Sequence, residues 1–232
     1  TRTRTRTRTN LKGEHVQLYN YFRSSTSYRI RIALNIKGLA YEYKPVHLLN
    51  NGGEQHSTEF RTLNPLGEVP TLMVNGKPIS QSMAILEYLE EMHPQQKLLP
   101  ADPVARANVR QFCEAINCGI HPLQNLKTMK YLSSQLNVSE DEKQKWISHW
   151  VSLAFTALET QTKQSSGEYC FGNEITAADL FLVPQIFSAE RFNVAMSDFP
   201  TLKRIEQRCS QHEAFFKAHP YRQPDTPAEL RI

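Results

Sequence analysis

The chain has 232 residues, 40% of them hydrophobic and 22% charged, with a formal net charge of +4. That length can bury a sizeable core, and the lack of any apolar run of roughly 18 residues excludes a membrane-spanning helix. Of the 27 basic residues, Arg2, Arg4, Arg6 and Arg8 belong to the opening TRTRTRTRT, so the remaining 23 meet 23 acidic residues and offer no electrostatic footprint for nucleic acid.

The opening repeat has nothing apolar to bury, which predicts a disordered extension over residues 1–14, with an Arg-rich transit peptide as the alternative. Residues 16–21 (VQLYNY) alternate and predict a strand. SSTSYRIRIALNIKG then predicts a helix capped by Ser24 or Ser25 and closed by Gly38, with Tyr28, Ile32 and Ile36 on one face. A second strand over 41–48 completes a β-α-β unit, whose strands should be parallel and joined by a right-handed crossover. A short helix over 57–63 precedes VPTLMVNGKPIS, two strands joined by the hairpin signal Asn75-Gly76. From Ser82 to His93 the residues Ile85, Leu86, Leu89 and Met92 recur at helical spacing. Together these elements predict a compact α/β domain over residues 15–94.

HPQQKLLPADP carries three prolines and marks a linker over 95–103. Beyond it, helical patterns over 104–131, 140–165, 176–189 and 200–211 predict an all-α domain over 104–232. Thr176-x-x-Asp179 reads as a capping box, with Ile175 and Leu180 as a hydrophobic staple; its expected role is to nucleate a buried helix. Cys113, Cys118, Cys170 and Cys209 lack C-x-x-C spacing and no signal-peptide core is visible, which predicts a reduced, cytoplasmic protein. The eight histidines lack ligand spacing, so no metal is expected.

Chemistry concentrates at two helix beginnings. Arg23, Ser24, Ser25, Thr26 and Ser27 put several hydroxyls where main-chain N–H groups and the positive end of the helix dipole favour an anion or a thiolate; plain capping explains them equally well. Ser80-Gln81-Ser82 opens another helix with no acid in its first turn, and both starts follow strands of one sheet. Val69-Pro70 opens a strand where the proline cannot donate; a cis bond there would leave the main chain of Val69 for a peptide-like ligand, and an edge-strand proline is the other reading. Tyr19, Tyr21 and Tyr28 favour core packing over catalysis.

With these residues in view, SSTSYRIRIAL resembles the signature of zeta-class glutathione transferases, in which a cysteine usually stands where this chain has Thr26. TLNPLGEVPTL (Thr62 replacing an alanine), QSMAILEYLEE, HPLQNL, DLFLVPQ and RQPDTPAELR follow in the order of that class, over nearly all of residues 16–232. The resemblance implies a thioredoxin-like glutathione-binding domain followed by an all-α substrate domain, a homodimer, and glutathione as cofactor. It implies isomerisation of maleylacetoacetate to fumarylacetoacetate in tyrosine and phenylalanine breakdown, alongside glutathione transferase activity. The alternatives are isomerisation of maleylpyruvate and attack on small α-halo acids. A binding protein without catalysis is a third reading, disfavoured by the intact hydroxyl cluster. Carried across by position, Ser24, Ser25 and Thr26 would line the sulfur site, with Ser25 the main donor, and a borrowed thiolate would replace the missing cysteine. Gln55, Val69 and Pro70 would hold the glutathione backbone, Gln81 and Ser82 its γ-glutamyl carboxylate, and His121 and Asn125 would reach in from the second domain. Arg191 and Arg29 would hold the carboxylates of a small dicarboxylic keto acid.

Overall fold

The computed structural model describes residues 15–232; the extension expected over 1–14 lies outside them. The described residues fall into two units, residues 15–96 with Glu213–Ile232, and Lys97–His212.

The first unit is built on a four-stranded sheet. Strand β1 (Val16–Asn20) leads into helix α1 (Ser25–Lys37), β2 (Glu42–Pro45), α2 (Thr58–Leu63), β3 (Thr71–Val74), β4 (Lys77–Ser80) and α3 (Ser82–Met92). The strand order is β2-β1-β3-β4, with β1 parallel to β2 and antiparallel to β3, and β3 antiparallel to β4. Local chemistry accounts for the turns. Gly38 closes α1 at φ 67, where a side chain would be strained. Asn75 and Gly76 both take positive φ between Val74 and Lys77, the geometry of a two-residue hairpin. Helix α1 is buried on nearly every face because α3 and a C-terminal helix both pack on it. Lys37 on α1 is buried against Glu90 of α3 at 2.6 Å, and its ammonium also donates to the carbonyl of His93 at 2.8 Å.

The second unit is helical: α4 (Pro103–Asn117), α5 (His121–Gln124), α6 (Leu126–Leu136), α7 (Glu140–Ser165), α8 (Ala177–Arg191) and α9 (Pro200–Ser210). The helix expected over 104–131 is three pieces. Gly119 sits where a Cβ would lie 2.5 Å from the Ala115 carbonyl oxygen, Pro122 follows, and Asn125 restarts the chain by accepting from the Lys127 N–H. Phe112, Phe155, Phe181 and Leu202 are fully or almost fully buried within this unit. Among the described residues no helix is long and apolar enough to cross a membrane.

The expectation of an all-α stretch over 104–232 places the C-terminus with the second unit. Instead α10 (Glu213–Ala218) packs on α1, and the segment through Ile232 belongs to the first unit. His219 follows α10 and accepts the Tyr221 N–H on Nδ1 at 3.2 Å. Burial, with Arg222 and Arg31 adding to it, lowers its pKa from 6.5 to about 4. The folded state therefore refuses a proton that the unfolded chain accepts, so stability is complete above pH 6.5 and is lost as pH falls from there toward 4. Urea titrations across that window should show this acid loss in the native protein and a flatter profile in His219→Gln.

Candidate active site

Strand register brings the candidate residues to one end of the sheet. Tyr19 pairs with Thr71 and Thr71 with Ser80, so the row Tyr19–Thr71–Ser80 crosses three strands. The chain leaves β1 at this end for Ser24 and Ser25, enters β3 through Val69-Pro70, and leaves β4 for Gln81 and Ser82. The Val69-Pro70 bond is cis. Strands β1 and β4 are two spacings apart, roughly 10 Å, and an extended tripeptide reaches about the same distance.

The three hydroxyls of the turn have different duties. Ser24 caps α1 by accepting the Ser27 N–H at 3.2 Å. Thr26 donates its single proton from Oγ1 to the Val69 carbonyl at 2.9 Å, so the 2.9 Å contact between Ser24 Oγ and Thr26 Oγ1 must be donated by Ser24. Both protons are thereby committed to a relay joining α1 to the Val69-Pro70 segment. Ser25, buried, is the first residue of α1, at a helix start with no acidic residue in its first turn. Aligned N–H groups there favour a negative charge.

The beginning of α3 has no acidic residue in its first turn either. Gln81 precedes it at φ 71, ψ 119, a backbone conformation that costs a non-glycine residue on the order of 1–3 kcal/mol and tends to persist at functional sites. Its side-chain amide donates to Glu68 at 3.4 Å. Ser82 Oγ accepts from Arg29 Nη1 at 3.0 Å. Arg29, offered by the resemblance as a ligand for a substrate carboxylate, is only 1% exposed.

Gln55 is buried in a short helical turn, Glu54–His56, and its amide nitrogen approaches the Leu48 carbonyl at 3.4 Å and His56 Nε2 at 3.2 Å. Two glycines fix its seat. A Cβ at Gly53, where φ is 111, would stand 2.5 Å from the Gln55 amide nitrogen, and one at Gly67 would stand 2.9 Å from the Gln55 carbonyl oxygen. The sequence motif TLNPLGEVPTL contains Gly67 without indicating this role, and Gly53 was missed although the Gly52-Gly53 pair before Gln55 was a visible signal. A cavity of about 600 Å³ lined by Tyr19, Val46, Gly53, His56 and Phe60 adjoins Gln55 through Gly53 and His56 and includes none of Ser24, Ser25, Gln81 or Ser82. Tyr21 and Tyr28 are core residues, and the ring of Tyr19 lies 6.1 Å from that of Phe60.

In the second unit, His121 opens α5 and its Nε2 lies 3.3 Å from the Asn125 side-chain nitrogen, so these two are neighbours. Gln124, between them in sequence, is buried and donates to Ser188 on α8 at 3.2 Å. Arg191 ends α8 on the surface, with its guanidinium carbon 4.2 Å from the centre of the Phe192 ring.

Residues 14–91 match the family described as glutathione S-transferase, N-terminal domain, and residues 124–216 match glutathione S-transferase, C-terminal domain. The maleylacetoacetate isomerase of Rattus norvegicus is 48% identical over 214 residues, covering 92% of this chain and 96% of that protein. A solved structure described as the holo form of maleyl pyruvate isomerase, a bacterial glutathione S-transferase in the zeta class, is 40% identical with a TM-score of 0.88, over 91% of this chain and 100% of that one. A maleylacetoacetate isomerase from Anaeromyxobacter dehalogenans, solved with glutathione in its active site, is 40% identical with a TM-score of 0.84, over 92% and 99%. Two matching domains in the right order, on a thioredoxin-like unit and a helical one, place the chain in the zeta class of the glutathione S-transferase family.

Proposed function

We propose that this chain is a glutathione-dependent cis–trans isomerase that converts maleylacetoacetate to fumarylacetoacetate in tyrosine and phenylalanine breakdown, with glutathione transferase activity besides. The observation that carries the reading is the pair of acid-free helix beginnings, bearing Ser25 and Ser82, that follow strands β1 and β4 at one end of the sheet, strands whose spacing is roughly a tripeptide's length. Identity of 48% to a maleylacetoacetate isomerase supports the substrate.

The residues present suit glutathione, an anionic tripeptide with a thiol. Gln81 and Ser82 would hold its γ-glutamyl carboxylate at the start of α3, Val69 beside Pro70 would pair with its main chain, and Gln55 would hold its backbone. Bound glutathione supplies a thiolate nucleophile able to add reversibly to a cis double bond conjugated to a carbonyl, leaving a single bond that can rotate. Ser25 would donate from Oγ toward the sulfur, and the α1 N-terminus would lower the thiol pKa by favouring the anion. Ser24 and Thr26 shape the turn through their relay, which explains how a threonine serves where the class usually has cysteine. Arg191 receives a substrate carboxylate and steadies the negative charge that develops on the substrate oxygen, a task suited to a planar guanidinium. Arg29 we assign to orienting Ser82. The reading also takes the protein to be a cytoplasmic homodimer; its four cysteines are thiols and not disulfides, as a reducing compartment requires.

Gly53→Ala should raise KM for glutathione about fivefold while leaving kcat nearly unchanged, because the displaced Gln55 amide forfeits about one hydrogen bond. Steady-state kinetics at varied glutathione checks this. A second reading, maleylpyruvate isomerisation, is favoured by the TM-score of 0.88 to such an enzyme. Incubating the purified protein with each cis acid, with and without glutathione, and following loss of the cis chromophore tests both. Glutathione-dependent loss without consumption of glutathione supports isomerisation, stoichiometric consumption points to conjugation or dehalogenation, and no reaction of either acid removes the proposal.

A further inference from the structure

The C-terminal motif RQPDTPAELR has no part in the site as described, yet its aspartate reaches the turn between β1 and α1 that carries the hydroxyls. Asp225 Oδ2 accepts the Phe22 N–H at 2.9 Å and Oδ1 accepts the Tyr43 hydroxyl at 2.5 Å. From the opposite side Arg31, fully buried on α1, donates through Nη2 to the Phe22 carbonyl at 2.9 Å and through Nη1 to the Tyr21 carbonyl at 3.3 Å. The same guanidinium donates to Asn20 Oδ1 at 2.9 Å and, through Nε, to the Ala218 carbonyl of α10 at 3.1 Å. The Tyr21 carbonyl in turn accepts the Ser24 N–H at 3.0 Å.

Both main-chain groups of Phe22 are thus held by side chains of opposite charge, three residues before Ser25. The tail is itself braced: Thr226 Oγ1 donates to the Pro220 carbonyl at 2.7 Å, and the Gln223 amide to the carbonyls of Lys217 and His219 at 2.9 and 2.8 Å. The buried cation gives its hydrogen bonds to the Tyr21, Phe22 and Ala218 carbonyls and to Asn20, with the Asp225 charge favouring its ionised form, and that carboxylate is brought from 203 residues away to the neighbouring N–H.

We propose that Asp225 and Arg31 are positioning residues for the thiolate site, so that the C-terminal segment sets the placement of Ser25. The proposal rests on the reading that the thiol of glutathione lies at Ser25. Displacements of a catalytic group by about 1 Å are enough to cost large factors in rate, and a turn whose peptide is held on both sides cannot drift.

The test is an ultraviolet titration of the thiolate in the enzyme–glutathione complex, paired with kcat/KM. Asp225→Ala should raise the bound thiol pKa by about one unit and lower kcat/KM about tenfold, the two being equivalent in free energy. Asp225→Asn keeps an acceptor for the Phe22 N–H and should lose about threefold. Tyr43→Phe leaves the Phe22 bond intact and should titrate like the native protein. An unchanged thiol pKa in Asp225→Ala, or in Asp225→Asn where the alanine variant does not fold, overturns the proposal even if melting temperature falls, because a purely structural role would move only the latter. If the native complex itself shows no lowered thiol pKa, the sulfur site at Ser25 falls too; a lowered native value untouched by the substitutions overturns the positioning role alone.

Discussion

Replacing Ser25 with alanine is expected to lower kcat/KM for glutathione-dependent isomerisation by about a hundredfold and to return the bound thiol toward the ordinary thiol range near pKa ~8.5. Thr26 gives its proton to the Val69 carbonyl and Ser24 gives its own to Thr26, so neither has one to offer a thiolate without breaking the turn. Ser25 stands at the first helical position, where its hydroxyl adds to the field of the α1 N-terminus. Ser24→Ala is the informative contrast, since it removes a helix cap and should cost about 1 kcal/mol of stability while reducing rate less than Ser25→Ala does. A Ser25→Ala enzyme within a factor of about two of native activity would transfer the donor role elsewhere.

The largest effect on stability is expected at Asp179. This carboxylate, fully buried at the third position of α8, accepts the Thr176 N–H at 2.8 Å, the Thr176 hydroxyl at 3.2 Å and the Cys170 N–H at 2.9 Å. Burial pushes its pKa up, and the donors from Cys170 and Thr176 oppose that by favouring the anion. Asp179→Ala strands two buried main-chain donors and should cost about 3 kcal/mol, a fall in Tm of roughly 10 °C for a chain of this size. Thermal melts followed by circular dichroism check this, and kcat per folded molecule should be little changed. A Tm close to native would mean that the loop around Cys170 finds other acceptors.

Much of this architecture could be read locally, because its determinants lie within a few residues of their effects. Gly38, Asn75-Gly76, the Ser24 cap and the Thr176/Asp179 pair each act through neighbours in sequence, and all form in the structure. The second unit was harder. Helical periodicity carried the expected helix across 104–131 because apolar spacing persists through the breaks, whereas Gly119 and the Asn125 cap decide the backbone. The destination of the tail had no local signal, since Asp225 answers to Phe22 and α10 to α1. The same limit applied to Arg29. The resemblance offered it as a ligand for a substrate carboxylate, and only the structure shows its hydrogen bond to Ser82. For the hydroxyl cluster, sequence supplied the residue types; the direction of each proton came from the partner carbonyl at Val69.

The most direct measurement is a crystal structure of the protein with glutathione. The sulfur is expected within hydrogen-bonding distance of Ser25 Oγ at the start of α1, with the γ-glutamyl carboxylate at Gln81 and Ser82. A tripeptide bound with its sulfur away from the Ser24–Thr26 turn would contradict this placement.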